Sequence, residues 1–367
     1  MTTPSSSNAS AAKVPFPPMT FGKAALLRAF GSLYTAFFSV LISVVTAILV
    51  DGVVGLTVSA WRILKLNHQA LIKLSSSVLR TWFSIFMGHL EHFGRLTIVL
   101  TGDAFHPNES ALVVCNHRSW ADTVVIYSLA RQVRMHGDVK FLAKRSLLVF
   151  PVYGFAGWVL DVVIFIKRQS TSAGRRLNRM FSSLTDPRRR QAPYWLISYL
   201  EGTRFTHAKR QNAVEFAKKR DLKVLEEVLQ PRTKGFISTV HALRTNAQAV
   251  YDITIGYTQS ENGDMDPTFK QMYLTPARKD RVIHVHQRRI PLSDLPQDDE
   301  ELKNWVYRLY EQKDELLKAF RTNGCFAARP MRWNRMTWGY WMQCQAIVYG
   351  AFGITIYTVY TLFSFAR

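Results

Sequence analysis

Two long stretches without a charged side chain set the outline of this chain. Residues 29–50, AFGSLYTAFFSVLISVVTAILV, form one, and residues 336–366 form the other. A helix needs about 20 mostly apolar residues to cross a bilayer, so each stretch reads as a membrane anchor. A buried core helix of that length without a charge is the weaker alternative. The second stretch opens on Trp338, Tyr340 and Trp341, as an aromatic belt at a membrane interface would. Arg329, Arg332 and Arg335 precede it, and the positive-inside rule puts them in the cytosol. The basic flanks of the first stretch are nearly balanced and decide nothing. With an anchor at each end, both termini lie on the far side and the residues between face the cytosol. Asn108, in the sequon NES, is then expected to stay unglycosylated.

Residues 1–20 are rich in Ser, Thr, Ala and Pro and read as disordered. No acidic residue precedes Asp51, so this start also fits a mitochondrial transit peptide. Residues 62–92 are amphipathic, with Lys65, Lys73 and Arg80 among apolar clusters that include Trp82, Phe83, Phe86 and Met87. Such a segment either lies along a membrane surface or packs on the domain that follows.

From Arg95 onward, apolar β-branched runs recur at 96–100, 111–115, 139–142, 162–166, 194–199, 249–255 and 282–285, with helical patterns between several of them. Residues 171–184 and 207–230 read as basic helices, and 301–320 as a charged one. The alternation predicts an α/β fold, a mixed sheet covered by helices, with N- and C-terminal transmembrane helices. The expected organisation is a disordered N-terminus (1–20), a membrane anchor with its amphipathic segment (21–92), an α/β domain (93–325) and a C-terminal transmembrane segment (326–367).

Lys and Arg number 47 against 26 Asp and Glu, a formal net charge of +21. A surface this basic seeks polyanions, and the apolar stretches beside it favour anionic lipid over nucleic acid. The three cysteines, Cys115, Cys325 and Cys344, match no zinc or redox spacing and imply no disulfide framework. Cys115 reads as a buried strand residue, with a thiol nucleophile as the lesser alternative. His89 and His92 bracket Glu91, and His284 and His286 share a strand face, but neither set has the order of a metal site.

The stretch that carries chemistry is VVCNHRSWADT, residues 113–123. Apolar residues suited to a buried strand give way to Asn116 and His117, and a helical pattern starts at Ser119. On an ideal helix, residues five apart point roughly 140° away from each other. His117 and Asp122 can therefore meet only if His117 lies in the turn before the helix and Asp122 in its first turns. Ser119 is the expected N-cap, with Asp122 in the capping-box position. Two readings stay open at this point. Asp122 only caps a helix, or it also accepts a hydrogen bond from one imidazole nitrogen and leaves the other free to take a proton.

Cations gather at other strand exits. Lys167 and Arg168 end FIKR, and Lys144 and Arg145 end another run. Glu201-Gly202-Thr203-Arg204 follows YWLISYL, where Gly permits a close approach and Arg204 offers a fork for phosphate. Arg232 and Lys234, in PRTKGF, stand at a helix start suited to an anion. Each element alone fits an ordinary solvated turn as well.

Together, NHRSWAD, FIKR and EGTR in this order resemble the motif series of the glycerolipid acyltransferase family, which includes 1-acylglycerol-3-phosphate acyltransferases. PRTKGF and VYDITIGY are similar to the branch containing lysocardiolipin and lysophosphatidylinositol acyltransferases. The resemblance covers roughly residues 96–257, and the terminal apolar segments are similar too. It implies transfer of an acyl group from acyl-CoA, as co-substrate, to a lysophospholipid hydroxyl, with no metal or other cofactor. On that resemblance His117 is the base and Asp122 its orienter. Asn116, Lys167, Arg168, Glu201, Gly202, Thr203, Arg204, Arg232 and Lys234 are the expected substrate-binding set. The sequence has no GxSxG element, so the attacking alcohol would arrive with the substrate. The expected setting is the endoplasmic reticulum membrane with the catalytic domain on the cytosolic side, a mitochondrial membrane being the alternative. The expected partners are acyl-CoA, lysophospholipid and membrane lipids, without nucleic acid. A non-catalytic basic membrane protein that recruits anionic partners, or a lipid hydrolase, are the competing readings.

Overall fold

The computed structural model describes residues 68–144, 162–166, 181, 184–185, 192–258, 267–268, 271–272 and 281–365. The first apolar stretch, the disordered N-terminus, Arg145, the cations Lys167 and Arg168, and most of the basic segment 171–184 lie outside them.

Seven strands form one sheet in the order β1-β7-β6-β2-β5-β3-β4. They are β1 (Leu96–Gly102), β2 (Ala111–Cys115), β3 (Val139–Lys144), β4 (Val163–Ile166), β5 (Trp195–Ser198), β6 (Ala249–Tyr257) and β7 (Arg281–Pro291). Every neighbouring pair is parallel except β6–β7, so the sheet is mixed as expected. Strand β2 pairs with β6 on one side and β5 on the other, in register at Ala111 with Ala249 and Trp195. Its residues ALVVC are all buried, because both faces of a central strand in such a sheet are covered.

Side-chain alternation sorts the core into two layers. Val113 and Cys115 face one layer with Val125 and Leu129 of α2 (Ala121–Gln132) and Met87 and Leu90 of α1 (His68–His92). Leu112 and Val114 face the other with Phe236 and Val240 of α4 (Thr233–Leu243) and Leu302, Val306 and Leu309 of α5 (Asp299–Asn323). Period-2 strands between period-3.6 helices thus give the three layers that the alternation in sequence predicts. Helix α5 starts where Asp298 accepts from the backbone of Glu300 and Glu301, both at 2.9 Å, and stops at Gly324, whose φ is 70°. These are an N-cap and a left-handed C-terminal cap.

One expectation needs correction. The basic helix foreseen over 207–230 ends early: α3 is His207–Lys218, and Asp221 turns the chain with φ 52°. Glu226 and Glu227 then donate their backbone N–H groups to the buried Asp314 of α5, which holds this segment as a loop. The described part of the amphipathic segment, residues 68–92, takes the second of its two readings. Helix α1 buries Leu71, Ile72, Leu79, Ile85, Met87 and Leu90 within the protein. The C-terminal stretch forms α6 (Trp338–Phe365), a helix of 28 residues docked on α1. There, Trp341 Nε1 donates to Ile85 O at 3.0 Å, and the indole lies over Gly88, where a Cβ would come within 2.1 Å of it. Among the described residues, however, no helix is long and apolar enough to cross a membrane.

Candidate active site

The carboxyl ends of three parallel strands meet at one place. Strand β2 delivers Asn116 and His117, β5 delivers Tyr199 and Glu201, and β6 ends on Tyr257. Ligands of open α/β sheets bind at such carboxyl ends.

His117 and Asp122 meet here. His117 Nδ1 lies 2.8 Å from Asp122 Oδ2. The helix begins at Ala121, with Trp120 rather than Ser119 at its cap. Asp122 nonetheless does what a capping-box acid does, because its Oδ2 also accepts the backbone N–H of Arg118 at 2.8 Å and of Ser119 at 3.0 Å. Its Oδ1 accepts from Tyr257 Oη at 2.5 Å. Both readings of this stretch therefore hold at once: the carboxylate closes the helix start and orients the imidazole. Four donors satisfy a carboxylate that is 0 % exposed, whereas the His117 side chain is 21 % exposed. With Nδ1 donating to the Asp122 carboxylate, the Nδ1–H tautomer is the one favoured, and the lone pair sits on Nε2. Tyr199 stacks on the imidazole, ring centroids 4.0 Å apart at 20°.

The turn after β5 is tied to His117 at both ends. Glu201 Oε1 accepts from His117 N at 2.8 Å, and Phe205 N donates to His117 O at 2.7 Å. Between them Gly202 takes φ 68°, a conformation only glycine adopts cheaply, and a Cβ there would meet Arg232 Nε at 2.9 Å. Thr203 Oγ1 accepts from Lys209 Nζ at 2.6 Å. Arg204 is exposed and lies over the Trp120 ring, 5.3 Å from its centroid. Arg232 and Lys234 are exposed at the start of α4. Arg204 and Arg232 therefore stand beside the turn that carries the imidazole, and their charge faces solvent.

Two residues of the expected binding set play another part. Asn116 is fully buried, and its amide makes both bonds to one residue of β6: Nδ2 donates to Ile255 O at 3.0 Å, and Oδ1 accepts from Ile255 N at 2.8 Å. It extends the β2–β6 ladder with a side chain in place of a peptide unit. Glu201 is also buried; its second oxygen accepts from Leu229 N at 3.1 Å. It braces the catalytic turn against the 222–230 loop, and burial pushes its carboxyl up to about 8. Both side chains are buried and bonded to backbone groups of the protein. Cys115 is closed off as well: burial, with the nearby carboxylates, raises its thiol well above the usual range.

Sequence reasoning missed Arg118, Tyr199 and Tyr257. Arg118 is buried, donates from Nη1 to Glu227 O at 2.9 Å and Glu227 Oε2 at 3.3 Å, and packs over Phe205. The only signal for the tyrosines is a polar aromatic at the carboxyl end of an apolar strand. Among the described residues, no group of three His, Cys, Asp or Glu side chains is arranged to hold a metal ion.

An imidazole held by a buried carboxylate, at strand ends beside exposed cations, is an arrangement that can move a proton near a bound anion. Comparison with known proteins specifies the class. The family model "Acyltransferase" matches residues 97–258, and "Acyltransferase C-terminus" matches residues 277–342. A relative from Arabidopsis thaliana, "Probable 1-acyl-sn-glycerol-3-phosphate acyltransferase 5", is 31% identical over 77% of this chain and 72% of its own length. The human "1-acyl-sn-glycerol-3-phosphate acyltransferase delta" is 32% identical over 64% of this chain and 60% of its own. A solved acyltransferase from Thermotoga maritima is 17% identical over 80% of this chain, with a TM-score of 0.43, too distant to carry weight. The chain belongs to the glycerolipid acyltransferase family and is an enzyme.

Proposed function

We propose that this enzyme transfers a fatty acyl group from acyl-CoA to a free hydroxyl of a lysophospholipid, with lysophosphatidic acid the first acceptor to test. The observation that carries the reading is the hydrogen bond from His117 Nδ1 to the buried Asp122, with Nε2 left over at the mouth of the sheet. In the proposed step, Nε2 takes the proton of the lipid hydroxyl as its oxygen attacks the thioester carbon. The C–S bond breaks, and the CoA thiolate recovers that proton from the imidazolium. Asp122 stabilises the imidazolium between the two transfers, and no further cofactor enters the balance.

Arg204, Arg232 and Lys234, exposed around the catalytic turn, suit the phosphates of the acceptor and of CoA. Lys167 and Arg168 are proposed for the same role from the sequence motif. A membrane setting fits the exposed apolar residues Met342, Ile347, Ile354 and Ile356 of α6, and the cytosolic side of the endoplasmic reticulum is proposed from the sequence resemblance alone. Lysophosphatidylinositol and lysocardiolipin are acceptors to compare.

The full chain, purified in detergent, would be supplied with one acyl-CoA and each lysolipid in turn, and thiol release followed. Turnover that needs an acceptor and falls about 10²- to 10⁴-fold in His117→Ala is the expected result. Fatty acid released without an acceptor would instead mean hydrolysis.

A further inference from the structure

The oxygen of Asp122 that does not touch His117 takes its bond from one side chain, Tyr257, at 2.5 Å. A carboxylate in a water-excluded site has few ways to satisfy both oxygens, and a charge-assisted bond this short is a strong restraint on its rotamer. Tyr257 is the last residue of β6 and is buried. Its height above the 117–122 turn is set two residues earlier, where Asn116 clamps the backbone of Ile255 through both amide atoms. Alternate residues of a strand share a face, so pinning Ile255 also aims Tyr257.

We infer that Tyr257 is a positioning residue for the transfer reaction: its hydroxyl locks the Asp122 carboxylate in the rotamer that holds His117 and draws charge from it. The inference rests on the His117–Asp122 reading above. The titratable groups that face this carboxylate are His117 and Arg118 of its own turn, Cys115 at the end of β2, Tyr199 and Glu201 after β5, and Tyr257. Of these, the groups bonded to it are His117, Tyr257 and, through its backbone, Arg118. Removing the phenol hydroxyl leaves Asp122 Oδ1 without its donor. The carboxylate is then freer to turn away from the imidazole, which lowers kcat. While it does face the imidazole, it does so with more charge, which stabilises the imidazolium.

The test compares Tyr257→Phe and His117→Ala in the full chain, with thiol release followed across roughly pH 5 to 9. For Tyr257→Phe, kcat should fall about tenfold, KM for both substrates should stay within about twofold, and the acidic limb of the kcat/KM profile should move up by about 0.5–1 unit. Loss of packing alone would not move that limb. If His117→Ala keeps its turnover, the catalytic reading itself fails. If His117→Ala is inactive while Tyr257→Phe keeps both kcat and the limb, only the role of Tyr257 is overturned. Should Tyr257→Phe not give a cooperative melt, 3-fluorotyrosine at position 257 keeps the shape with a more acidic phenol. A stronger donor should move the limb down, and an unmoved limb overturns the inference.

Discussion

Replacing Asp122 by Asn separates the two jobs of this side chain. Its Oδ2 accepts from His117 Nδ1, Arg118 N and Ser119 N, and its Oδ1 accepts from Tyr257 Oη. The Asn oxygen can keep the first three donors, and its amide can donate to a Tyr257 hydroxyl turned to accept. The bonds survive in number but lose their ionic character. Such bonds are worth about 1.5–3 kcal/mol each, against about 0.5–1.5 for neutral ones. The loss is partly offset because a buried amide is cheaper to desolvate than a carboxylate. The net is about 1–2 kcal/mol, a fall in melting temperature of about 2–8 °C for a domain of this size. Catalysis should suffer far more. Two unit charges about 4 Å apart near a protein surface attract by about 4 kcal/mol, so an imidazolium without its carboxylate costs about 10³-fold in rate. Asp122→Ala, by contrast, strands four donors in a closed site at about 1–3 kcal/mol each and should compromise folding. Thiol release under saturating substrate, with melting measured on the same samples, reads both quantities. An Asn variant that melts like the wild type and keeps more than about a tenth of its turnover would refute the view that the carboxylate's charge drives the base.

Two further expectations concern the turn around His117. Glu201 holds its proton up to about pH 8 in the folded protein but only to about 4.5 when unfolded. The stability this contributes is present in full below about pH 4.5 and is lost as pH rises to about 8, so the melting temperature of the wild type relative to Glu201→Gln should fall across that window. A constant difference between the two would show that the buried carboxyl does not titrate there. Gly202→Ala forces a left-handed backbone on a residue with a Cβ, at about 1–2 kcal/mol, and drives that Cβ against the Arg232 side chain. KM for the phosphate-bearing acceptor should rise more than kcat falls, as steady-state kinetics over a range of acceptor concentration would reveal. An unchanged KM would remove Arg232 from the substrate face.

By itself, the sequence determined the α/β class, six of the seven strands nearly in place, and the one arrangement in which His117 and Asp122 could meet; the structure decided that they do. These follow from local rules. Short, β-branched apolar runs such as 111–115 suit a strand buried on both faces, and a His five residues before an Asp across a strand-to-helix change leaves one way for the two to touch. The sequence shows strand β7 only over 282–285, because the next four residues, HQRR, are polar or basic and break the apolar run before Ile290. Tertiary structure decided which side chains face substrate and which hold the turn. Asn116 and Glu201 stand in the signature motifs yet spend their polar atoms on Ile255, His117 and Leu229, partners up to 139 residues away in the chain. Tyr257 reaches Asp122 across a separation of 135 residues, set by the pairing of β6 with β2. A motif records that a polar residue is present; the strand register determines whether its polar atoms are spent inside the protein or left to meet a ligand.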